Sequence, residues 1–275
     1  MYVSINGQLV HEEDAFVSVF DHGFLYGLGL FETFAVIDND IFLLDEHINR
    51  LKEGLHSIGV HYDVTVTEVY RVTAELLQAN GLNRGYVRWN VSAGIREVGL
   101  SSQHYREPQV IVFMKELPVP PVAKEAVILR LPRNTPEGEK RLKSHHYLNN
   151  ILAKQEIGDT KAEGIFLTET GYVAEGIVSN LFWKINNRVY TPCLSTGILD
   201  GVTRSFVIKL IESLGYKVEQ GYYTENELYR AEDMFVTNSI QGVVPVSKLD
   251  GHILYSGRFS KIVSSAYAMA AQEKE

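Results

Sequence analysis

One short stretch, Leu117-Pro118-Val119-Pro120-Pro121-Val122, divides this chain. It holds three of the eight prolines in the sequence. Proline fixes φ and gives up its N–H, so such a run reads as an extended spacer and not as part of a helix or a central strand. Whatever folds must fold on either side of it. The expected organisation is a first domain over residues 1–117, a linker over 118–122 and a second domain over 123–275. An ordinary surface loop is the competing account of the same prolines.

On the N-terminal side, Tyr2–Ile5 and Gln8–Val10 flank Asn6-Gly7, a pair suited to a type I′ turn, and read as a hairpin. Leu30–Val36 and Ile41–Leu44 read as strands around Asp38-Asn39-Asp40. Asp45 reads as an N-cap, with Ile48, Leu51, Leu55 and Ile58 following at helical spacing. Thr65–Ala79 reads as a helix stopped near Asn80-Gly81, and Tyr86–Ala93 and Gln109–Lys115 as strands. The first domain is thus two or three helices on an antiparallel sheet. Beyond the spacer, strands are expected at Ala126–Leu131, Gly164–Thr168, Leu181–Ile185, Arg188–Thr191 and Met234–Thr237. Helices are expected at Tyr147–Ile157, Thr203–Leu214 and Ser260–Ala271.

The 275 residues are 45% hydrophobic and 22% charged, enough apolar material for one large core or two modest ones. A net charge of −8 argues against nucleic acid as a partner, and any bound anion must be held by local donors. The single cysteine, Cys193, excludes an intramolecular disulfide and allows a reducing compartment. Met1–Gly7 has neither a basic start nor a long apolar run. No signal peptide and no membrane span are expected, and the default location is cytoplasmic. His47, His56, His61, His145 and His146 lack a compact ligand spacing, so no metal site is expected.

Four separated segments carry the chemistry. They are His47-Ile48-Asn49-Arg50-Leu51, Arg141-Leu142-Lys143-Ser144, Val173-Ala174-Glu175-Gly176-Ile177-Val178-Ser179-Asn180 and Gly201-Val202-Thr203-Arg204. Together they offer an amine, a carboxylate, a guanidinium and the start of a helix. Pyridoxal phosphate needs such a set: a lysine for its aldehyde, an acid for its ring nitrogen, and cationic and amide donors for its phosphate. A helix N-terminus presents free N–H groups to anions, here at Val202 and Thr203 with the Thr203 hydroxyl. Val236-Thr237-Asn238-Ser239-Ile240 ends a strand in small polar residues, which makes Asn238 and Ser239 a second expected phosphate contact. Arg50 has the fork geometry for phosphate, although on local sequence alone an exposed pair with Glu46 at i−4 is the better account.

In order and spacing these segments resemble the fold-type IV, or class IV aminotransferase, family, and the resemblance runs from about Tyr2 to about Tyr267. It implies an α+β, two-domain fold: a small N-terminal α/β sandwich and a larger C-terminal domain with a β-barrel-like sheet and flanking helices. It also implies pyridoxal phosphate as cofactor, a small-molecule substrate and a homodimer. Lys143 precedes Tyr147-Leu148-Asn149-Asn150-Ile151-Leu152-Ala153-Lys154-Gln155-Glu156, which looks like the family's post-lysine helix, so Lys143 is the expected catalytic residue. Glu175 would receive the ring nitrogen's hydrogen bond.

Within the family the local matches are to aminodeoxychorismate lyases. They are Phe20-Asp21-His22-Gly23-Phe24-Leu25-Tyr26-Gly27 with Leu28-Gly29-Leu30-Phe31-Glu32-Thr33, Lys143-Ser144-His145-His146-Tyr147-Leu148-Asn149-Asn150, and Thr237-Asn238-Ser239-Ile240-Gln241-Gly242-Val243-Val244-Pro245-Val246. These enzymes eliminate pyruvate from aminodeoxychorismate to give 4-aminobenzoate for folate synthesis. D-amino-acid aminotransferases carry tyrosine where this chain has Phe31. Where they have an Arg-x-His carboxylate trap, this chain has Val98-Gly99-Leu100, which disfavours that activity. Branched-chain aminotransferases have a Tyr-x-Arg pair at Tyr86 and Arg88, so an aminotransferase stays open; so does the plainer account that Tyr86, Arg88, Asn90 and Ser92 form one polar strand face. Phe31, Tyr86, Arg88, Arg96 and His145 are the expected substrate contacts. Arg96 can equally be a loop arginine beside Glu97. A non-enzymatic binding module is the remaining alternative.

Overall fold

In the computed structural model, which describes residues 1–254 and 257–272, Asn6 and Gly7 take positive φ (50° and 79°). They close the expected hairpin between β1 (Tyr2–Ile5) and β2 (Gln8–His11). A short helix α1 (His22–Tyr26) and strand β3 (Gly29–Ile37) follow. Helices α2 (Leu44–Ser57) and α3 (Val66–Asn80) lead to the long strands β4 (Arg84–Ser92) and β5 (Gln109–Glu116). The sheet has the order β2-β1-β5-β4-β3 and is antiparallel throughout.

Alternation along β3 and β4 decides what each face holds. Leu30, Phe34, Val36, Val87, Trp89 and Val91 pack into a core with Ile48, Leu51 and Leu55 of α2 and Val69, Val72 and Leu76 of α3. Phe31, Thr33, Tyr86, Arg88 and Asn90 belong to the opposite face. Thr65 caps α3 by accepting the Glu68 N–H, and Gly81 ends it at φ 64°.

Ile41–Leu44 is not a strand. Ile41 and Leu44 are both buried in the same core, three residues apart, which a two-residue repeat cannot achieve. The chain turns at Leu43 (φ 59°) and α2 begins one residue later, so Asp45 lies in the first turn of the helix and not at its N-cap. There its charge still favours the helix N-terminus.

The chain separates into two compact units. The first is Met1–Pro118 with Leu142–His146; the second is Val119–Arg141 with Tyr147–Glu275. The segment around Lys143 thus folds with the first unit, although the sequence reading assigned it to the second domain. Backbone pairing with β3 is the cause.

In the second unit the elements run β6 (Lys124–Ile128), α4 (Leu148–Ile157), β7 (Glu163–Leu167), β8 (Val173–Gly176), β9 (Asn180–Ile185), β10 (Arg188–Pro192) and α5 (Val202–Ser213). After them come β11 (Lys217–Gly221), α6 (Glu225–Tyr229), β12 (Asp233–Asn238), β13 (Gly242–Leu249), β14 (His252–Ile253) and α7 (Arg258–Ala270). The sheet order is β11-β10-β9-β12-β13-β6-β7-β8, with β14 paired to β13. It curls into a half-barrel. Leu181, Trp183, Met234 and Val236 pack on one face with Ile165, Val173 and Val246. Phe182 and Phe235, stacked 5.0 Å apart, face Val207 and Ile211 of α5 and Phe259 and Val263 of α7. Burial on both faces explains why β9 and β12 read as continuous apolar runs. No helix among the described residues is long and apolar enough to cross a membrane.

Candidate active site

Lys143 is fixed by its backbone. The Leu142–His146 segment lies beside the edge strand β3, with Leu30 and Ser144 as an antiparallel bridge. The Phe31 N–H donates to the Lys143 carbonyl (2.9 Å), and the His145 N–H donates to the Gly29 carbonyl (3.0 Å). Its ammonium lies 4.7 Å from the centre of the Phe31 ring, and the Arg88 guanidinium carbon lies 3.7 Å from the same centre. A cation over an aromatic face gains about 0.5–1 kcal/mol where exposed and about 2 kcal/mol or more where desolvated. Arg88 is also tied at Nε to the Asn90 side-chain oxygen (3.0 Å). Phe31 thus gathers the amine and one of the two expected substrate cations.

His145 completes this cluster, its ring 6.3 Å from that of Phe31 and inclined by 26°. It fits because residue 29 is glycine: any side chain there would enter the imidazole. Burial, and then the charge of Arg88, lower the His145 pKa to about 4. Its Nε2 is buried and makes no hydrogen bond. Tyr86 lies further along the same strand face, half-buried, with its phenol pKa raised by burial.

Arg50 projects from α2 onto Glu32, donating from Nε (2.7 Å) and Nη2 (2.6 Å), while His47 reaches the same carboxylate at 2.8 Å. Burial alone pushes the Glu32 carboxyl up; Arg50 and His47 outweigh it and bring it down to about 2. Arg96 is used inside its own loop. It lies over Tyr105 (4.5 Å) and donates to Ser101 Oγ (2.8 Å) and to the Gln103 and His104 carbonyls (3.1 and 3.3 Å). These bonds match the alternative reading of Arg96 as a loop residue.

The second unit holds the other charged centre. Glu175, on β8, is buried. One oxygen accepts from Arg133 Nε (2.9 Å) with Arg141 Nε at 3.6 Å, and the other accepts from the Leu199 N–H (2.9 Å). Burial, then repulsion from Arg133, lower the Arg141 pKa to about 10. Arg133 escaped the sequence reading because it lies 42 residues from Glu175 in a stretch with no motif of its own. Its only sequence signal is a basic residue beside a proline.

Helix α5 starts at Gly201 with no side-chain cap, so the first-turn amides of Val202 and Thr203 have no helical partner. At the end of β12, Asn238 accepts from the Ile240 and Gln241 amides (3.0 and 2.8 Å), which shapes a turn around Ser239. The neighbouring Thr237 Oγ1 is buried without a hydrogen bond. An orphaned hydroxyl, an uncapped helix start and a small-residue turn suit an anionic group. With an amine at Lys143 and a hydrogen-bonded carboxylate at Glu175, the donor set has the chemistry that pyridoxal phosphate requires.

The sequence model for amino-transferase class IV matches residues 29–249. The chain belongs to this family. It is a pyridoxal-phosphate-dependent enzyme. Aminodeoxychorismate lyase of Bacillus subtilis (strain 168) is 44% identical over 276 residues, covering 98% of this chain and 94% of that protein. A branched-chain aminotransferase structure from Thermoproteus uzoniensis superposes with a TM-score of 0.90 at 27% identity, over 100% of this chain and 96% of the other. The 4-amino-4-deoxychorismate lyase structure from Pseudomonas aeruginosa gives a TM-score of 0.85 at 26% identity, over 96% and 97%. Both likenesses span the two-sheet α+β architecture.

Proposed function

We propose that this enzyme converts 4-amino-4-deoxychorismate to 4-aminobenzoate and pyruvate. The observation that carries the reading is the 44% identity, along nearly the whole length of both chains, to the Bacillus subtilis lyase. The loop after β4 agrees with it: Val98, Gly99 and Leu100 offer no side-chain donor for an amino-acid carboxylate, and Leu100 is 92% exposed.

Bound pyridoxal phosphate supplies an aldehyde for the substrate amine and a ring that absorbs the charge left by proton removal. Lys143 would hold that group and, as a base, would take the proton from the carbon bearing the nitrogen. The ether bond on the neighbouring carbon breaks, and the enolpyruvyl group leaves and gains a proton to become pyruvate. The carbocycle becomes aromatic, so no oxidant or second substrate enters the balance. Glu175 would accept the hydrogen bond of the ring nitrogen. Arg50, the Val202 and Thr203 amides and the turn at Asn238 and Ser239 would hold the phosphate. Arg88 and the His145 imidazole face the substrate, with Phe31 and Tyr86 as its apolar wall.

A homodimer and a cytoplasmic location belong to the same reading. Phe16, Val19, Phe20, Phe24, Ile95 and Leu100 of the first unit are at least half exposed, apolar surface that a second copy would cover. Light scattering that finds only monomer would count against it.

The test of function is to supply 4-amino-4-deoxychorismate with no keto acid and to count products per site. Many turnovers of 4-aminobenzoate and pyruvate are expected. Product stopping at about one equivalent would transfer the assignment to an aminotransferase, the alternative that Tyr86 and Arg88 leave open.

A further inference from the structure

The segment Asn149-Asn150 begins the post-lysine helix, yet the proposed reaction gives these two residues no task. Their side chains point to one. Arg133 Nη1 donates to Asn149 Oδ1 (2.7 Å), to Asn150 Oδ1 (3.2 Å) and to Asn134 Oδ1 (3.1 Å). Arg133 Nε donates to Glu175 Oε1 (2.9 Å). Both asparagines are held in turn. Asn150 Nδ2 donates to the Ile177 carbonyl, and Asn149 Nδ2 donates to the Pro132 carbonyl (3.0 Å). Arg133 is 91% buried and lies over Phe166, 5.1 Å from its ring centre.

We infer that Arg133, oriented by Asn149 and Asn150, is a positioning residue that aims the Glu175 carboxylate at the cofactor's ring nitrogen. This rests on the proposed role of Glu175. The geometry supports it in three steps. A carboxylate on a short strand can rotate about its last torsion unless both oxygens are engaged. Here one oxygen is fixed by a guanidinium and the other by the Leu199 amide, so the plane of the group is set. Each oxygen nevertheless accepts one bond among those above, and an ionised carboxylate has about four acceptor positions. Room for a further donor remains on a group whose direction is already fixed.

A lysine could not take this place. The guanidinium addresses Glu175 with Nε and the three asparagine oxygens with Nη1, two rigidly linked edges of one plane. An ammonium is a single point with no such plane. The relay also explains why asparagines serve here: their oxygens accept from Arg133 without adding charge that would compete with Glu175 for it.

The experiment compares Arg133→Gln, Glu175→Gln and the double substitution, with Arg133→Lys as the conservative variant. Pyridoxal phosphate is titrated into each resolved apoenzyme, and its dissociation constant and visible absorbance maximum are recorded. Loss of a hydrogen bond to a charged group predicts weaker binding by about tenfold or more for Arg133→Gln. Arg133→Lys should recover only part of this. If Arg133 acts through Glu175, the double substitution binds the cofactor no more weakly than Glu175→Gln alone and shares its absorbance maximum. Additive losses would overturn the inference, as would wild-type affinity and spectrum in Arg133→Gln. If Glu175→Gln itself changes neither quantity, the role of Glu175 fails first and the relay falls with it. Should Arg133→Gln fail to fold, Asn149→Ala removes the 2.7 Å acceptor at a half-buried position. It should then weaken cofactor binding several-fold in the wild-type background but not in Glu175→Gln.

Discussion

Glu32 and Glu175 make an instructive pair. Each unit buries one of them, and each meets an arginine, yet the two differ in what remains to be bonded. Glu32 receives three side-chain donors from a single helix, two from Arg50 and one from His47. Its partners lie 15 and 18 residues away, on the core side of the sheet. Glu175 receives one arginine N–H and one backbone amide, from residues 42 and 24 positions away. The first carboxylate is closed by its own surroundings; the second is oriented and left with acceptor capacity. A buried ion pair is weak support for function in itself. The useful distinction is between a carboxylate whose donors come from one neighbouring helix and a carboxylate that is braced while still able to accept.

Four measurements would break or sharpen that contrast. The largest effect is expected at the amine near Phe31. Lys143→Ala should lower turnover by at least about 10³-fold with little change in melting temperature. Borohydride reduction of the wild type should then label Lys143; label on another lysine would remove Lys143 from the chemistry.

Next comes the closed pair. Glu32→Gln removes the charge from a buried group that faces Arg50 and His47, and is expected to cost about 3 kcal/mol of stability or more, read by denaturant melts. Glu175→Gln should instead lower kcat by about 10²-fold with a much smaller stability loss. If the two substitutions exchange these signatures, the contrast is wrong.

Acid should also probe the Glu32 pair. The Glu32 pKa is about 2 in the folded protein, below its ordinary value of 4.5. A depressed folded pKa gives stability that is complete above the unfolded value and is lost as pH falls through the folded one. Between pH 4.5 and pH 2 the wild type should therefore lose about 3 kcal/mol from this group, and Glu32→Gln should lack that share of the slope.

The smallest effect is expected at His145. With its pKa near 4 it is a neutral imidazole from pH 6 to 9. His145→Asn should raise KM by about three- to tenfold, the size of one neutral hydrogen bond, without moving the pH profile in that range.

Local rules carried much of the fold. Asn6-Gly7 forms its hairpin, Thr65 and Gly81 bound α3, and β4 alternates as its sequence suggests. Failures came where distant residues decide the outcome. β13 contains Pro245 and still runs between β12 and β6, which no strand propensity would suggest. Leu142–His146 joins the first unit because β3 offers an open edge, a fact of pairing and not of composition. Among the candidate residues, Lys143, Phe31, Arg88 and His145 do gather around one ring. Arg96 is drawn into its own loop, and Arg133 was invisible because its motif is spread over Asn134, Asn149, Asn150 and Glu175.

The cradle that Gly29 provides for His145 gives this enzyme a preferred direction of change. A side chain at residue 29 would meet the imidazole and also the Val91 carbonyl of the adjoining strand. Shrinking His145 removes only the first obstacle, since backbone cannot step aside. Volume beside Phe31 can thus be opened by one replacement at 145 but not reclaimed from the strand side. Descendants selected for bulkier molecules would find that route in a single step, whereas those selected for smaller ones would have to fill the space from elsewhere.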